Sequence, residues 1–502
     1  MKNIYVLIQC CLFLVIFNIS INSYGQSTDT VPHRYKVTLP EAHIGNLDID
    51  TKLLDSYGLL PENIRQFYFD SRLVFSETKD ANFTNTEILA AAEKYNIALL
   101  GCPMLGDLRE DGVSLWLRSA TTSPLVIKVI KSDGSDEKSY FKNLVEPGVE
   151  QRIVLDDLSP DTNYKYEVYT KKQKIAEGRF TTSPSPGEKG TFKLAFGSCF
   201  HKIGLHNPNL INQILKREPL AMMLIGDIAV DDRENRINMH QSDYLLRDVS
   251  KAWQTLSANV PLYSSWDDHD YLNNDLSGIP SQFTKADREA LRAVWYQNWN
   301  NPEYKAEGIY FNTRIGPVEL IMLDTRSCRK IEERGQYGSY LGIVQQNWLK
   351  ETLKKSTATY KIISSGTMWS DDITNGKDSW GTWDTLAREE IFKLIETENI
   401  PGVLLISGDR HGARGFTIPR PSGFALYEFE AASLGGVPGP DAMAKDPTHQ
   451  LFGYYGTDVI AFGEFTFDTK GIEPLVIFRL IDEFGNILEK HALSYSQLTP
   501  RE

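Results

Sequence analysis

"VPLYSSWDDHDYLNND", Val260 to Asp275, runs from apolar residues into a segment holding four aspartates, one histidine and two asparagines. A hydrophobic run that ends abruptly in carboxylates and an imidazole reads as a buried strand carrying ligand groups at its far end. The pattern recurs along the chain. "FKLAFG" is followed by Ser198-Cys199, "MMLIG" by Asp227, "VELIML" by Asp324-Thr325-Arg326, and "GVLLIS" by Gly408-Asp409-Arg410-His411. Ligands of open α/β sheets bind outside the carboxyl ends of the strands. A single Asp after a strand is ordinarily a helix cap or a turn residue. Five strand ends of such narrow chemistry point instead to one site.

Between these strands, and a further one at "YKIISSG", lie amphipathic stretches: "PNLINQILKRE", "SDYLLRDVSKAWQTL", "TKADREALRAVWYQNWN" and "IVQQNWLKETLKK". Two-sided apolar strands alternating with such helices predict an α/β domain over residues 191–502, closed by strands in "FGEFTFD" and "PLVIFRLIDEFGNILEKHAL". Residues 101–182 have another texture. "DGVSLWLRS" and "NYKYEVY" alternate apolar and polar residues around the turn-rich "DDLSPDT", as in a small antiparallel sandwich of immunoglobulin or fibronectin type III style. "TTSPSPGEKG" has the composition of a linker. Residues 26–100 form an N-terminal extension in which only "TNTEILAAAEKYN" reads clearly, as a helix with Ile88, Ala92 and Tyr95 on one face.

The 502 residues carry a net charge of −13, and no basic cluster suggests nucleic-acid binding. Residues 1–25 have the form of a secretory signal peptide, with Lys2, an apolar run from Ile4 to Phe17 and small residues Ser23 and Gly25 before the expected cut. Cleavage leaves Cys102, Cys199 and Cys328, too few for a disulfide framework. The expected location is secreted or periplasmic, with no membrane span after cleavage.

Carboxylates, an imidazole and a carboxamide suit hard or borderline cations such as Ca²⁺, Mn²⁺, Zn²⁺ or iron. A carboxylate between two ions can bridge them, and paired ions about 3.5–4 Å apart clamp phosphorus for in-line displacement. No Ser or Thr stands in a convincing nucleophile setting, so a metal-bound hydroxide is the expected attacker. Asp267, Asp268 and Asp324 are additional site candidates; Asp267 and Asp268 read equally well as structural acceptors of backbone N–H groups, and Asp324 as a partner of Arg326. The aromatic residue Trp369, which follows a strand, is a candidate pocket wall.

The segments "FGSC", "LIGD", "WDDHDYLNND", "LDTR", "LGIVQQNWLKETLKKS" and "SGDRHG" resemble the PhoD-type alkaline phosphatases of the metallophosphoesterase superfamily. The likeness covers roughly residues 101–490. It implies a two-sheet β-sandwich flanked by helices, iron and calcium cofactors, and hydrolysis of phosphomonoesters, or of phosphodiesters in some members. Carried over residue by residue, it makes Cys199, Asp227, Asn274, Asp409 and His411 metal ligands, with Asp227 bridging. It places His269 near the substrate phosphate and lets Arg326 hold phosphate oxygens or brace the loop. One position departs. Val230 stands where the family often has a tyrosine phenolate on ferric iron, so ferric iron is in doubt and Asp231, Asp232 or Tyr244 are candidate substitutes. Two rival expectations remain: phosphodiesterase or phospholipase D-like activity on the same site, and a non-catalytic exported binding module with a degenerate metal site.

Overall fold

The structure is a computed structural model that describes residues 30–228, 236–305, 307–373 and 378–500. The expected signal peptide, Val230, Asp231 and Asp232 lie outside the described residues.

Two large mixed sheets face each other. One has six strands in the order Leu262–Ser265, Ala221–Ile225, Thr191–Gly197, Ala461–Asp468, Leu475–Asp482, Ile487–Ser494. Its first three strands are parallel and the rest antiparallel. The other has seven, in the order Phe311–Ile315, Val318–Met322, Tyr360–Ser365, Val403–Ser407, Ala425–Ala432, Gly412–Pro419, Gln450–Tyr455. Here Val318–Met322, Tyr360–Ser365, Val403–Ser407 and Ala425–Ala432 run parallel.

Both faces of these sheets are covered, which explains the unbroken apolar runs. Leu194, Phe196, Met223, Leu320, Ile362, Leu404, Phe429 and Phe465 fill the space between the sheets. On one outer face, Ala195, Met222, Leu224 and Leu262 join a core with Ile214, Trp253 and Trp295 from the helices Pro208–Arg217, Lys251–Ser257 and Lys285–Asn298. On the other, Ile321, Ile363 and Leu405 pack with Leu349 of Gly342–Lys355 and Ile391 and Phe392 of Trp380–Thr397.

The stretch "SDYLLRDVSKAWQTL" is two helices, not one. Met239–Val249 stops at Ser250, whose hydroxyl caps Lys251–Ser257 by accepting from Trp253 N. Trp369 is fully buried against Trp380 and Phe392, so it belongs to the core and walls no pocket.

Strands from Leu99 to Thr181 make a three-stranded and a four-stranded antiparallel sheet, neither paired with the large sheets. Their apolar residues, among them Leu115, Ile127 and Tyr166, nonetheless run into the same core as the large sandwich. Ahead of them, Leu39–Ile44, Leu47–Leu54, Glu62–Glu77 and Thr86–Lys94 form a helical layer. Its Ala42, Leu53, Phe67 and Phe75 bury against Leu245, Leu246 and Val249 of the helix Met239–Val249. Among the described residues no helix is long and apolar enough to cross a membrane.

Candidate metal centre

The loops after four strands converge at the carboxyl edge of the two sheets. Cys199 and His201 follow Thr191–Gly197, Asp227 follows Ala221–Ile225, Asp267 to His269 follow Leu262–Ser265, and Asp409 and His411 follow Val403–Ser407. Three groups have ligand atoms all within 4.8 Å of one another: Cys199, His201, Asp227 and His411; Asp227, Asp268 and His269; Asp267, Asp268 and Asp409.

In the first group Asp227 Oδ2 lies 3.5 Å from Cys199 Sγ, 3.2 Å from His201 Nε2 and 3.9 Å from His411 Nε2. The two Nε2 atoms are 2.9 Å apart. His411 Nδ1 sits 2.6 Å from the Pro438 carbonyl, which fixes the ring so that Nε2 faces inward.

The backbone is strained where it presents these groups. Cys199, His201, Asp227, Asp409 and His411 all have positive φ, between 29° and 74°. That conformation costs an L-residue roughly 1–2 kcal/mol, and such strain persists where the surroundings over-determine it. Asp270 supplies part of that constraint. Its carboxylate accepts from Asp227 N at 2.5 Å, Ile228 N at 3.0 Å and Asp267 N at 3.1 Å. Gly226, at φ 82°, lets the Asp267 backbone approach so closely that any Cβ there would collide with it.

Burial and charge are at odds in this centre. Burial pushes the Cys199 thiol well above its usual range and does the same to Asp227, with Asp268 adding to the shift. Asp409 is raised likewise, by burial and then by Asp267 and Asp268. Asp267 is pushed up to about 6 by burial, against the pull of Arg326. For Asp268, burial is outweighed by Arg326 and His269, which hold it at about 2. Burial lowers His411 to about 4 and holds His201 well below its ordinary value, so both imidazoles are neutral, the form that ligates. Asp227 Oδ1, Asp267 Oδ2 and His201 Nδ1 are buried without a hydrogen-bond partner. Orphaned acceptors beside neutral imidazoles and a buried thiol are what cations satisfy, and the donor set fits them. Sulfur and nitrogen with one carboxylate suit a transition metal, and the carboxylate group suits a harder cation.

Several residues take other places than the sequence suggested. Arg326 is fully buried: Nε donates to Asp267 Oδ1 at 2.5 Å and one terminal nitrogen to Asp378 Oδ2 at 2.8 Å, while the other lies 3.8 Å from Asp268 and 3.6 Å from Asp409. Its guanidinium braces the carboxylates, so of the two roles inferred for it the bracing one fits. Asp324 is in none of the three ligand groups. Its oxygens accept from Trp266 Nε1, Ile309 N, Arg326 N and Ser327, which ties the loop down. Tyr244 is buried in the helical core, where its hydroxyl accepts from Trp299 Nε1 at 3.2 Å. Asn274 is exposed and its amide donates to Asp275, whose own N–H donates to Asp268 at 2.7 Å. His201 was not foreseen. Its signal was its place two residues after Cys199, the spacing that also separates Asp267 from His269 and Asp409 from His411.

By fold the chain is metallophosphatase-like. It superposes on a solved structure of PhoD with a TM-score of 0.61, 18% identity and coverage of 79% of this chain and 88% of that one. On a purple acid phosphatase from yellow lupin (Lupinus luteus) seeds the TM-score is 0.59, at 13% identity over 79% and 75% of the two chains. The PhoD-like phosphatase family model matches residues 232–450. Alkaline phosphatase D of Bacillus subtilis (strain 168) is 24% identical over 385 residues, 61% of this chain, and the chain spans 63% of that relative's length. The resemblance to PhoD-type phosphatases therefore holds, with the family model matching residues 232–450.

Proposed function

We propose that the chain is an exported, metal-dependent phosphoric ester hydrolase acting on phosphomonoesters. The observation that carries this reading is the sharing of Asp227 between a Cys/His group and an Asp/His group, the arrangement a carboxylate needs to bridge two cations. When bound, such cations lower the pKa of water towards about 7 and polarise the phosphoryl oxygen.

The chain's own residues then divide the work. Cys199, His201, Asp227 and His411 would hold one ion. Asp267, Asp268 and Asp409, joined by Asp227 through its closeness to Asp268 and with the Asn274 carboxamide as a further ligand, would hold the harder one, for which Ca²⁺ fits, with iron, Mn²⁺ or Zn²⁺ at the sulfur and nitrogen side. Asp270 and Arg326 keep the carboxylates aimed. His269, beside Asp227 and Asp268, donates a proton to the leaving ester oxygen. The segment 1–25 supports export, and residues 101–182 are proposed as a domain that supports the catalytic sheets. The test is elemental analysis of the purified protein together with turnover on a phosphomonoester and a phosphodiester. Stoichiometric metal with monoester preference is expected; turnover of neither ester by the metal-loaded protein sinks the reading.

A further inference from the structure

We propose that His43, on the short helix Leu39–Ile44 of the N-terminal segment, belongs to the active site as the residue that positions His269. The inference rests on the reading of the site as an ester hydrolase in which His269 serves the leaving group.

The helix is a fixed mount. Thr38 opens it with a capping box, Thr38 N donating to Glu41 at 2.8 Å and Glu41 N returning a bond to Thr38 Oγ1. Gly45, left-handed at φ 60°, closes it. The Gly45 carbonyl accepts from Arg72, which also pairs with Asp50 at 2.8 Å, and Asp50 accepts from Tyr68 at 2.7 Å. Ala42 is fully buried in the core with Leu53, Phe67 and Leu245. With Ala42 locked downward and both ends tied, the next residue has little freedom in where it points.

It points at the metal centre. The His43 ring centroid lies 4.8 Å from that of His269 and 5.6 Å from that of His201, tilted by 44° to each. His201 and His269 are 5.5 Å apart, nearly perpendicular. The three rings make a near-equilateral triangle in which His269 has His201 on one flank and His43 on the other. His201 is held by the Asp227 carboxylate and His411. His43 is the half-buried, outermost ring of the three, while His201 and His269 are buried. It therefore closes the face of His269 that would otherwise meet water. A proton donor needs this, because misplacement by about 1 Å costs on the order of 10²-fold in rate.

The test uses the metal-loaded full chain and the variants His43→Ala and His43→Phe. With p-nitrophenyl phosphate, His43→Ala should lose kcat by about 10²-fold at unchanged KM and metal content, and His43→Phe, which restores a ring, should recover most of it. Unchanged kcat in His43→Ala overturns the proposal. So does loss of metal, which makes His43 a ligand, and so does failure of Phe to rescue, which makes its nitrogens the working atoms. A second readout needs no turnover: deuterium exchange at the His269 C2 position, followed by mass spectrometry. It should speed up in His43→Ala and stay near wild type in His43→Phe; equal rates in all three overturn the proposal. A wild type that hydrolyses no ester yet shows this exchange pattern would refute the hydrolase reading and leave the positioning intact.

Discussion

At the end of Thr191–Gly197 the chain presents sulfur and nitrogen, whereas at the end of Leu262–Ser265 it presents oxygen. The first pole, Cys199, His201 and His411, is nearly free of formal charge once the imidazoles are neutral. The second, Asp267, Asp268 and Asp409, is dense in carboxyl groups and carries an arginine, Arg326, among its acids. Asp227 stands between them. On the proposed reading, the contrast lets one carboxylate shared between the poles serve two ions of different hardness, because ligand type sets the preference on each side. It also separates holding from bracing. Positive-φ backbone presents Cys199, His201, His411 and Asp409 alike, and only the oxygen pole has a buried guanidinium, Arg326, among its acids.

The contrast can be broken at its hinge first. Asp227→Asn should empty both poles and bring activity to background with the fold intact, read by elemental analysis, turnover and circular dichroism; His201→Ala should empty the sulfur and nitrogen pole alone. If either variant keeps its full metal content, the poles are not built as described. His269→Ala should empty neither pole and lower kcat by about 10²–10⁴-fold. Metal loss there would move His269 into the ligand set. Arg326→Lys keeps the charge but not the fork, and should weaken the harder ion by about 10–100-fold, the usual cost of losing a partner behind a ligand. A calcium titration reads it, and an unchanged midpoint would strip Arg326 of its role. The smallest effect is optical. With Val230 where the resemblance places the family's phenolate, and Tyr244 hydrogen-bonded in the core, the purified protein should lack a tyrosinate-to-iron band in its visible spectrum. Such a band would show that another tyrosine reaches the metal.

What the sequence made legible follows the range of the interactions. Strands of the sandwich are buried on both faces, so "LAMMLIG" and "GVLLIS" are unbroken apolar runs, and Cys199, Asp227, Asp409 and His411 can be read at their ends. The helix Trp380–Thr397 went unread because it begins "WGTWD" and its backbone breaks at Asp384 (φ −149°), which blurs the 3.6-residue period. The strands Gly412–Pro419 and Gln450–Tyr455 are interrupted by glycine and polar residues and carry weak patterns. Asp324 and Asp268 have the same local signature, one residue type after or near a strand. Only the tertiary fold decides that Trp266 and Ser327 claim the first and that the ligand cluster keeps the second. His43 left no local sign at all, since its neighbours in space are His201 and His269.

The two Nε2 atoms that meet at 2.9 Å come from residues 210 positions apart in the chain. A pairing of such long sequence separation forms late, because the closure entropy of the intervening chain must be met before the contact rewards it. No nascent or partly threaded chain lacking His411 owns a complete sulfur and nitrogen pole. On the proposed reading, the full ligand set for an ion at this pole exists only once Cys199, His201 and His411 are all in place in the fold.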